Sequence, residues 1–171
     1  DSSTSRGLGD VYKRQYNTIT AASKLSGEIT LLIAGSAIDS VISEAQSIDG
    51  ISNILKCDNK IYSNFIAEDL SALIANNIGE FTHILAPSTT FGKNLMPRVS
   101  AKLDTQQISD IIAVESDDTF KRPIYAGSCI ATVKSNDEVK VITVRSTAFD
   151  AVSTGNSDVS VSDIATIDSM G

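Results

Sequence analysis

Hydroxyls, a glycine and a lysine gather in the run Ser88, Thr89, Thr90, Phe91, Gly92, Lys93. Such a set at the start of a helix suits anion recognition, because the first helical turn leaves amide donors unpaired and carries positive potential. The same residue types also cap helices without any ligand: Ser88 or Thr89 accepts an amide of the first turn, and Lys93 lies on a solvated face. Capping is the preferred reading. His83 is the single histidine, so any Ser/His/Asp or Cys/His mechanism must pass through it. Its place at the start of an apolar run favours a hydrogen-bonded structural histidine, with no Cys, His or paired carboxylate at ligand spacing for a metal. Cys57 and Cys129 lie far apart in apolar stretches, outside any CxxC pattern, as expected of buried reduced thiols. Asp110, Arg145 and Asp150 stand at strand boundaries, where structural ion pairs form. The sequence therefore offers no catalytic, cofactor-binding or metal constellation.

A second turn, at Gly35, opens the segment Gly35 to Gln46, in which Ile38, Val41, Ile42 and Ala45 form an amphipathic stripe. A glycine turn followed by a helix can present amides to a phosphate. No GxGxxG or GxxxxGK[ST] pattern accompanies it, and ordinary chain reversal is preferred.

These residues are positioned by a regular alternation of elements. A short helix is expected from Asn17, with Ile19, Ala22 and Leu25 on one face and Gly27 as terminator. Ile29 to Ala34 is a continuous apolar run, expected to be a central parallel strand covered on both faces. Ile51 to Cys57 gives another strand. Phe65 to Ile78 gives a helix turning Phe65, Leu70, Leu73, Ile74 and Ile78 inward and ending at Gly79. His83 to Ala86 is the next strand, and the helix after it carries Phe91, Leu95, Val99 and Leu103 or Ala101 at helical spacing. Pro97 within that helix predicts a bend or a late start.

After Leu103 the pattern changes. Ile108 to Val114, Ile124 to Val133 and Val139 to Val144 are strand-like without intervening helices, so a second sheet or an antiparallel extension is expected. Ser135 to Glu138 is rich in turn formers and suggests a hairpin across Val133 to Val144, with one face of the last strand wet. The fold class is thus α/β: a mostly parallel open sheet flanked by helices, with additional strands in the second half.

At 171 residues one domain is expected, and a net charge of −7 disfavours nucleic acid as a partner. The core must be aliphatic, with aromatics at 5% and no tryptophan. No apolar run reaches the roughly 18 residues a membrane helix needs, so membrane insertion is not expected. Asp1 to Gln15 lacks the apolar centre of a secretory signal and holds two acidic residues that a mitochondrial leader would avoid.

Four blocks carry a family resemblance: Phe91 to Leu103 (FGKNLMPRVSAKL), Ile108 to Ser116 (ISDIIAVES), Ile124 to Val133 (IYAGSCIATV) and Val144 to Asp150 (VRSTAFD). In order and spacing they resemble the amino-terminal domain of the electron transfer flavoprotein alpha subunit, from about Asn17 to Asp150. The resemblance implies an adenine nucleotide hydrolase-like sheet over residues 16–150. It also implies a non-native or misread leader at 1–15, where the family has its opening strand, and a polar linker at 151–171 toward an FAD-binding domain. Loss of that strand would leave backbone groups on its neighbours unpaired.

The implied function is that of an electron carrier rather than an enzyme. The chain would be the scaffold part of an FAD-containing heterodimer with a beta subunit, which holds AMP. Electrons would pass from acyl-CoA and other flavoprotein dehydrogenases to a membrane quinone oxidoreductase. The expected compartment is the bacterial cytoplasm, with the mitochondrial matrix as alternative. No FAD-contact residue is assigned to this chain, which alone is expected to hold neither FAD nor AMP. The alternatives are a flavoprotein of the nitrogen-fixing or electron-bifurcating branch, and a stand-alone nucleotide-binding module using the Gly35 and Ser88 turns.

Overall fold

The computed structural model describes residues 14–155 and 159–168. Helix α1 covers residues 14–22 and is followed by β1 (Thr30–Gly35), α2 (Asp39–Ala45), β2 (Asn53–Asp58), α3 (Ala67–Asn76), β3 (His83–Pro87) and α4 (Thr90–Lys102). Strands then dominate: β4 (Gln107–Ile111), β5 (Ala113–Ser116), β6 (Thr119–Ile124), β7 (Cys129–Lys134), β8 (Lys140–Val144) and β9 (Ser160–Asp163). The alternation of strand and helix in the first hundred residues is as the apolar periodicities predict.

Two parallel sheets and one antiparallel sheet result, with strand orders β1-β2-β9, β3-β8-β4 and β5-β6-β7. β1 and β2 run in register from Thr30 opposite Asn53 to Gly35 opposite Asp58. β8 lies between β3 and β4, parallel to both. Side chains on both of its faces are therefore enclosed: Val141, Ile142, Thr143 and Val144 are each at most 1% exposed. The expected wet face and the Val133 to Val144 hairpin are corrected by this insertion. β7 pairs antiparallel with β6 in a separate sheet, while the chain after Ser135 crosses back to the parallel layer.

Three aliphatic clusters hold the layers together. In the first, Leu70, Leu73, Leu95, Met96 and Val99 from α3 and α4 cover Cys57 and Val141, with Ala34, Ile84 and Ala86 packed against them. The second, on the other side of β1 and β2, joins Ile19 of α1 and Ile42 of α2 to Ile54, with Leu31 and Ile33 at its margin. The third joins Ala21 of α1 to Ile108, Ile142, Val144 and Phe120, with Leu85 packed against it. Helix spacing that brings Leu70 and Leu73, or Leu95 and Val99, onto one stripe accounts for the first cluster.

Two aromatic residues leave the faces assigned to them. Phe65 precedes α3 with φ +50° and is 57% exposed, and Phe91 is 41% exposed. The buried stripe of α4 includes Gly92, Leu95, Met96, Val99 and Ser100, so it is rotated away from Phe91. α4 begins at Thr90 and runs through Pro97, which rules out the late start. The segment expected to be a polar linker contributes β9, which adds in parallel to β2.

Candidate functional site

The run of hydroxyls at Ser88 stands at the carboxyl end of β3. Thr89 takes extended backbone angles and its Oγ1 accepts the Gly92 amide at 3.1 Å, so Thr89, not Ser88, is the helix cap. The Ser88 amide donates instead to the Val144 carbonyl at 2.8 Å, tying the turn to β8. Gly92 has no room for a side chain: a Cβ there would lie 2.0 Å from the Pro87 carbonyl oxygen. Glycine is required because α4 starts directly against the end of its own strand. Lys93 points outward and is exposed.

Beside this turn, the ends of β4 and β8 are joined by an ion pair. Arg145 donates from Nε to Asp110 Oδ2 at 3.0 Å, and its Nη2 donates to the same oxygen. Asp110 sits where the β4–β8 register shifts, with φ +58°, and its amide donates to Thr143 Oγ1 at 2.8 Å. Partial burial pushes the Asp110 carboxyl up, but hydrogen bonds from Arg145 and Ser88 and the charges of Arg145 and Lys93 outweigh it and hold it below the ordinary carboxylate range. The Ser88 hydroxyl is buried beside that carboxylate. Asp150 is exposed and joins no ion pair among the described residues.

The Gly35 turn is closed from within the protein. Asp58, level with Gly35 in the parallel register, accepts the Ala37 amide at 2.8 Å and the Ile38 amide at 3.2 Å. The donors that a phosphate would use are thus engaged by a carboxylate of the next strand. Lys56 reaches Asp39 at 2.7 Å across the same turn.

His83 is a structural tether. Its Nε2 donates to the Asp117 carbonyl at 2.6 Å, which leaves Nδ1 to accept the Thr82 hydroxyl at 2.9 Å. The Asp117 carboxylate accepts the Ser26 amide at 2.8 Å, and hydrogen bonds from Ser26 hold it below the usual range. One turn between β5 and β6 is therefore fastened both to β3 and to the segment after α1. Cys57 is buried beside Tyr62, and burial pushes its thiol up. Cys129 is exposed, correcting the expectation that both thiols are buried, because β7 carries it at the rim of the antiparallel sheet.

Sequence reasoning placed Ser88, Thr89, Gly92, Asp110 and Arg145 individually, and the fold gathers them at the carboxyl ends of β3, β4 and β8. Asp58 and Asp117 were missed. The signal for Asp58 is its position immediately after an apolar strand, which parallel pairing sets beside the preceding glycine turn. Also unforeseen is the β6–β7 connection, where Tyr125, Ala126 and Gly127 all have positive φ and Tyr125 is 78% exposed.

Neither helix start fits the pyrophosphate of FAD or another dinucleotide. Asp58 occupies the first set of amides with a negative charge, and at the second Thr89 takes the Gly92 amide while Gly92 is filled against Pro87. Among the described residues no group of three His, Cys, Asp or Glu side chains could hold a metal ion. No described helix is long and apolar enough to cross a membrane.

Together these features define an open parallel α/β domain with an appended antiparallel sheet, its strand ends closed by its own side chains. The electron transfer flavoprotein domain matches residues 5–168, and the chain belongs to the electron transfer flavoprotein family. It is 47% identical over 149 residues to the electron transfer flavoprotein subunit alpha of Pseudomonas aeruginosa, covering 87% of this chain and 48% of that protein. To the subunit alpha of Paracoccus denitrificans it is 44% identical over 135 residues, 79% of this chain and 44% of that one. A mitochondrial subunit alpha of Dictyostelium discoideum is 43% identical over 153 residues, 85% of this chain and 43% of its own. The chain spans just under half the length of these relatives.

Proposed function

We propose that this chain is the scaffold part of an electron transfer flavoprotein alpha subunit. In the complete protein it pairs with a beta subunit, and the heterodimer carries electrons on FAD from acyl-CoA and other flavoprotein dehydrogenases to a membrane quinone oxidoreductase. AMP belongs to the beta subunit. The bacterial cytoplasm is the preferred compartment and the mitochondrial matrix the alternative.

The observation that carries this reading is the match to proteins named subunit alpha over 79% to 87% of the chain. The closed helix starts support a scaffold role, since they turn potential nucleotide donors inward. They also weigh against a stand-alone nucleotide module. The chain's own contribution is to fix geometry, while the flavin, when bound to the complete heterodimer, supplies the redox chemistry. Co-expression with a beta subunit, followed by measurement of complex mass and flavin content, tests it.

A further inference from the structure

We propose that the cleft between the start of β4 and the β6–β7 ribbon is a binding site for a small organic monocarboxylate, with the Arg122 guanidinium as its anchor. Two observations meet there, a cavity and a buried donor. The cavity measures about 320 Å³, with Gln106, Gln107 and Ile108 on one wall and Arg122, Val133 and Lys134 on the other. That size suits a small molecule rather than a single water.

Strand alternation aims Arg122 into the cleft. Phe120, two residues earlier on β6, is fully buried in the third aliphatic cluster, where Val133 stands opposite and packs. Arg122 lies on the same face of β6 but opposite Ala131, one step beyond that core. The residue is half-buried, and its Nε is sealed from solvent with no hydrogen-bond partner among the described residues. Buried donors in native proteins are nearly always satisfied, by protein, water or ligand, and a charged one is the costliest to leave unpaired.

The neighbouring charges are already answered. Lys134 pairs with Asp118 at 3.0 Å and Lys121 with Glu115 at 3.0 Å. Asp137, which also lines the cleft, accepts the Gln106 amide at 3.0 Å and the Ser135 hydroxyl at 3.3 Å, and the charge of Lys140 lies near it. Arg122 keeps one positive charge that none of these groups balances. Its planar fork of N–H donors matches the two oxygens of a carboxylate, and a water would supply an acceptor without the charge. A single negative charge suffices here; inorganic phosphate, largely dianionic just above neutral pH, would bring excess charge close to Asp137. Ile108 and Val133 offer an apolar wall to a short carbon skeleton.

The inference is independent of any second subunit and of the electron-carrier reading. It is tested by NMR on the isotope-labelled full chain, adding sodium butanoate, sodium phosphate or sodium chloride at matched ionic strength. The Arg122 Nε–H resonance is identified by its loss in Arg122→Lys. Butanoate is expected to move that resonance and the backbone amides of 106–108 and 133–137 along one saturating curve, with phosphate weaker and chloride unsaturated. Arg122→Lys keeps the charge but loses the fork, and Arg122→Gln loses both. Each is expected to weaken butanoate binding by about tenfold or more, as the loss of a hydrogen bond between charged groups does. Undiminished saturation in either variant, an unsaturated response of the parent, or phosphate binding as tightly as butanoate overturns the proposal. Should a variant fail to fold, the parent titration decides, because chloride-like shifts at Arg122 refute the site by themselves.

Discussion

The carboxylate of Asp58 accepts the amide of Ala37 at 2.8 Å, joining the end of one parallel strand to the turn that follows its neighbour. This contact, with the companion bond from Ile38, converts a phosphate-like turn into an internal cap. Asp58→Ala is expected to destabilise the protein by about 1 kcal/mol, the usual worth of a helix cap, without creating affinity for AMP or ATP. Chemical denaturation and calorimetric titration with either nucleotide check the two halves; micromolar nucleotide binding by the variant or the parent would contradict the capping role.

At the second turn the decisive atom is the Pro87 carbonyl oxygen. A methyl group at Gly92 would lie 2.0 Å from it, and the atom in the way is backbone rather than the end of a side chain that could move aside. Gly92→Ala is expected to push α4 off β3 and to destabilise by about 2–3 kcal/mol, the range of overpacked cores. Thr89→Ala, losing only the 3.1 Å cap, should cost about 1 kcal/mol. Thermal or denaturant unfolding ranks the two, and a reversed order would contradict the packing argument.

The Asp110–Arg145 pair makes a pH prediction. The Asp110 carboxyl lies below its unfolded value, so its contribution is fully present above the ordinary carboxylate range near pH 4 and is lost as pH falls through its folded-state pKa. Both side chains are partly exposed, which limits the pair to about 1 kcal/mol or less. Asp110→Asn should therefore be less stable than the parent at pH 7 and converge with it in acid. Denaturant midpoints at pH 7 and pH 3 test this; a stability gap that widens toward pH 3 would show the sign to be wrong.

His83 fastens the β5–β6 turn through the Asp117 carbonyl. His83→Ala should lose about 1 kcal/mol, the net worth of one such hydrogen bond. Faster hydrogen exchange should be confined to residues 113–124, and an unchanged turn would mean that the tether is dispensable.

The sequence made the order of elements legible wherever a face or strand was simply apolar. Leu70 with Leu73 and Leu95 with Val99 fall on their expected stripes, and Thr89 caps as hydroxyls before helices do. It misled where a neighbour distant in sequence decides burial. Val139, Val141 and Val144 partly alternate with Lys140 and Thr143 as in a half-wet strand, yet β8 is inserted between β3 and β4 and Thr143 is buried, bonded to the Asp110 amide. Phe91 has the right spacing for the α4 core but the close approach of Gly92 to Pro87 rotates the helix and leaves it exposed. The closure of the Gly35 turn by Asp58 depends on parallel register, which no local pattern encodes.

The central claim, that this chain is an alpha-subunit scaffold, is tested most directly by mixing the purified chain with the beta subunit of its Pseudomonas aeruginosa relative and measuring mass and visible absorbance of the product. The account predicts a one-to-one complex by light scattering and little flavin on the chain before mixing. A chain that stays apart from the beta subunit, or that carries stoichiometric FAD alone, would contradict it.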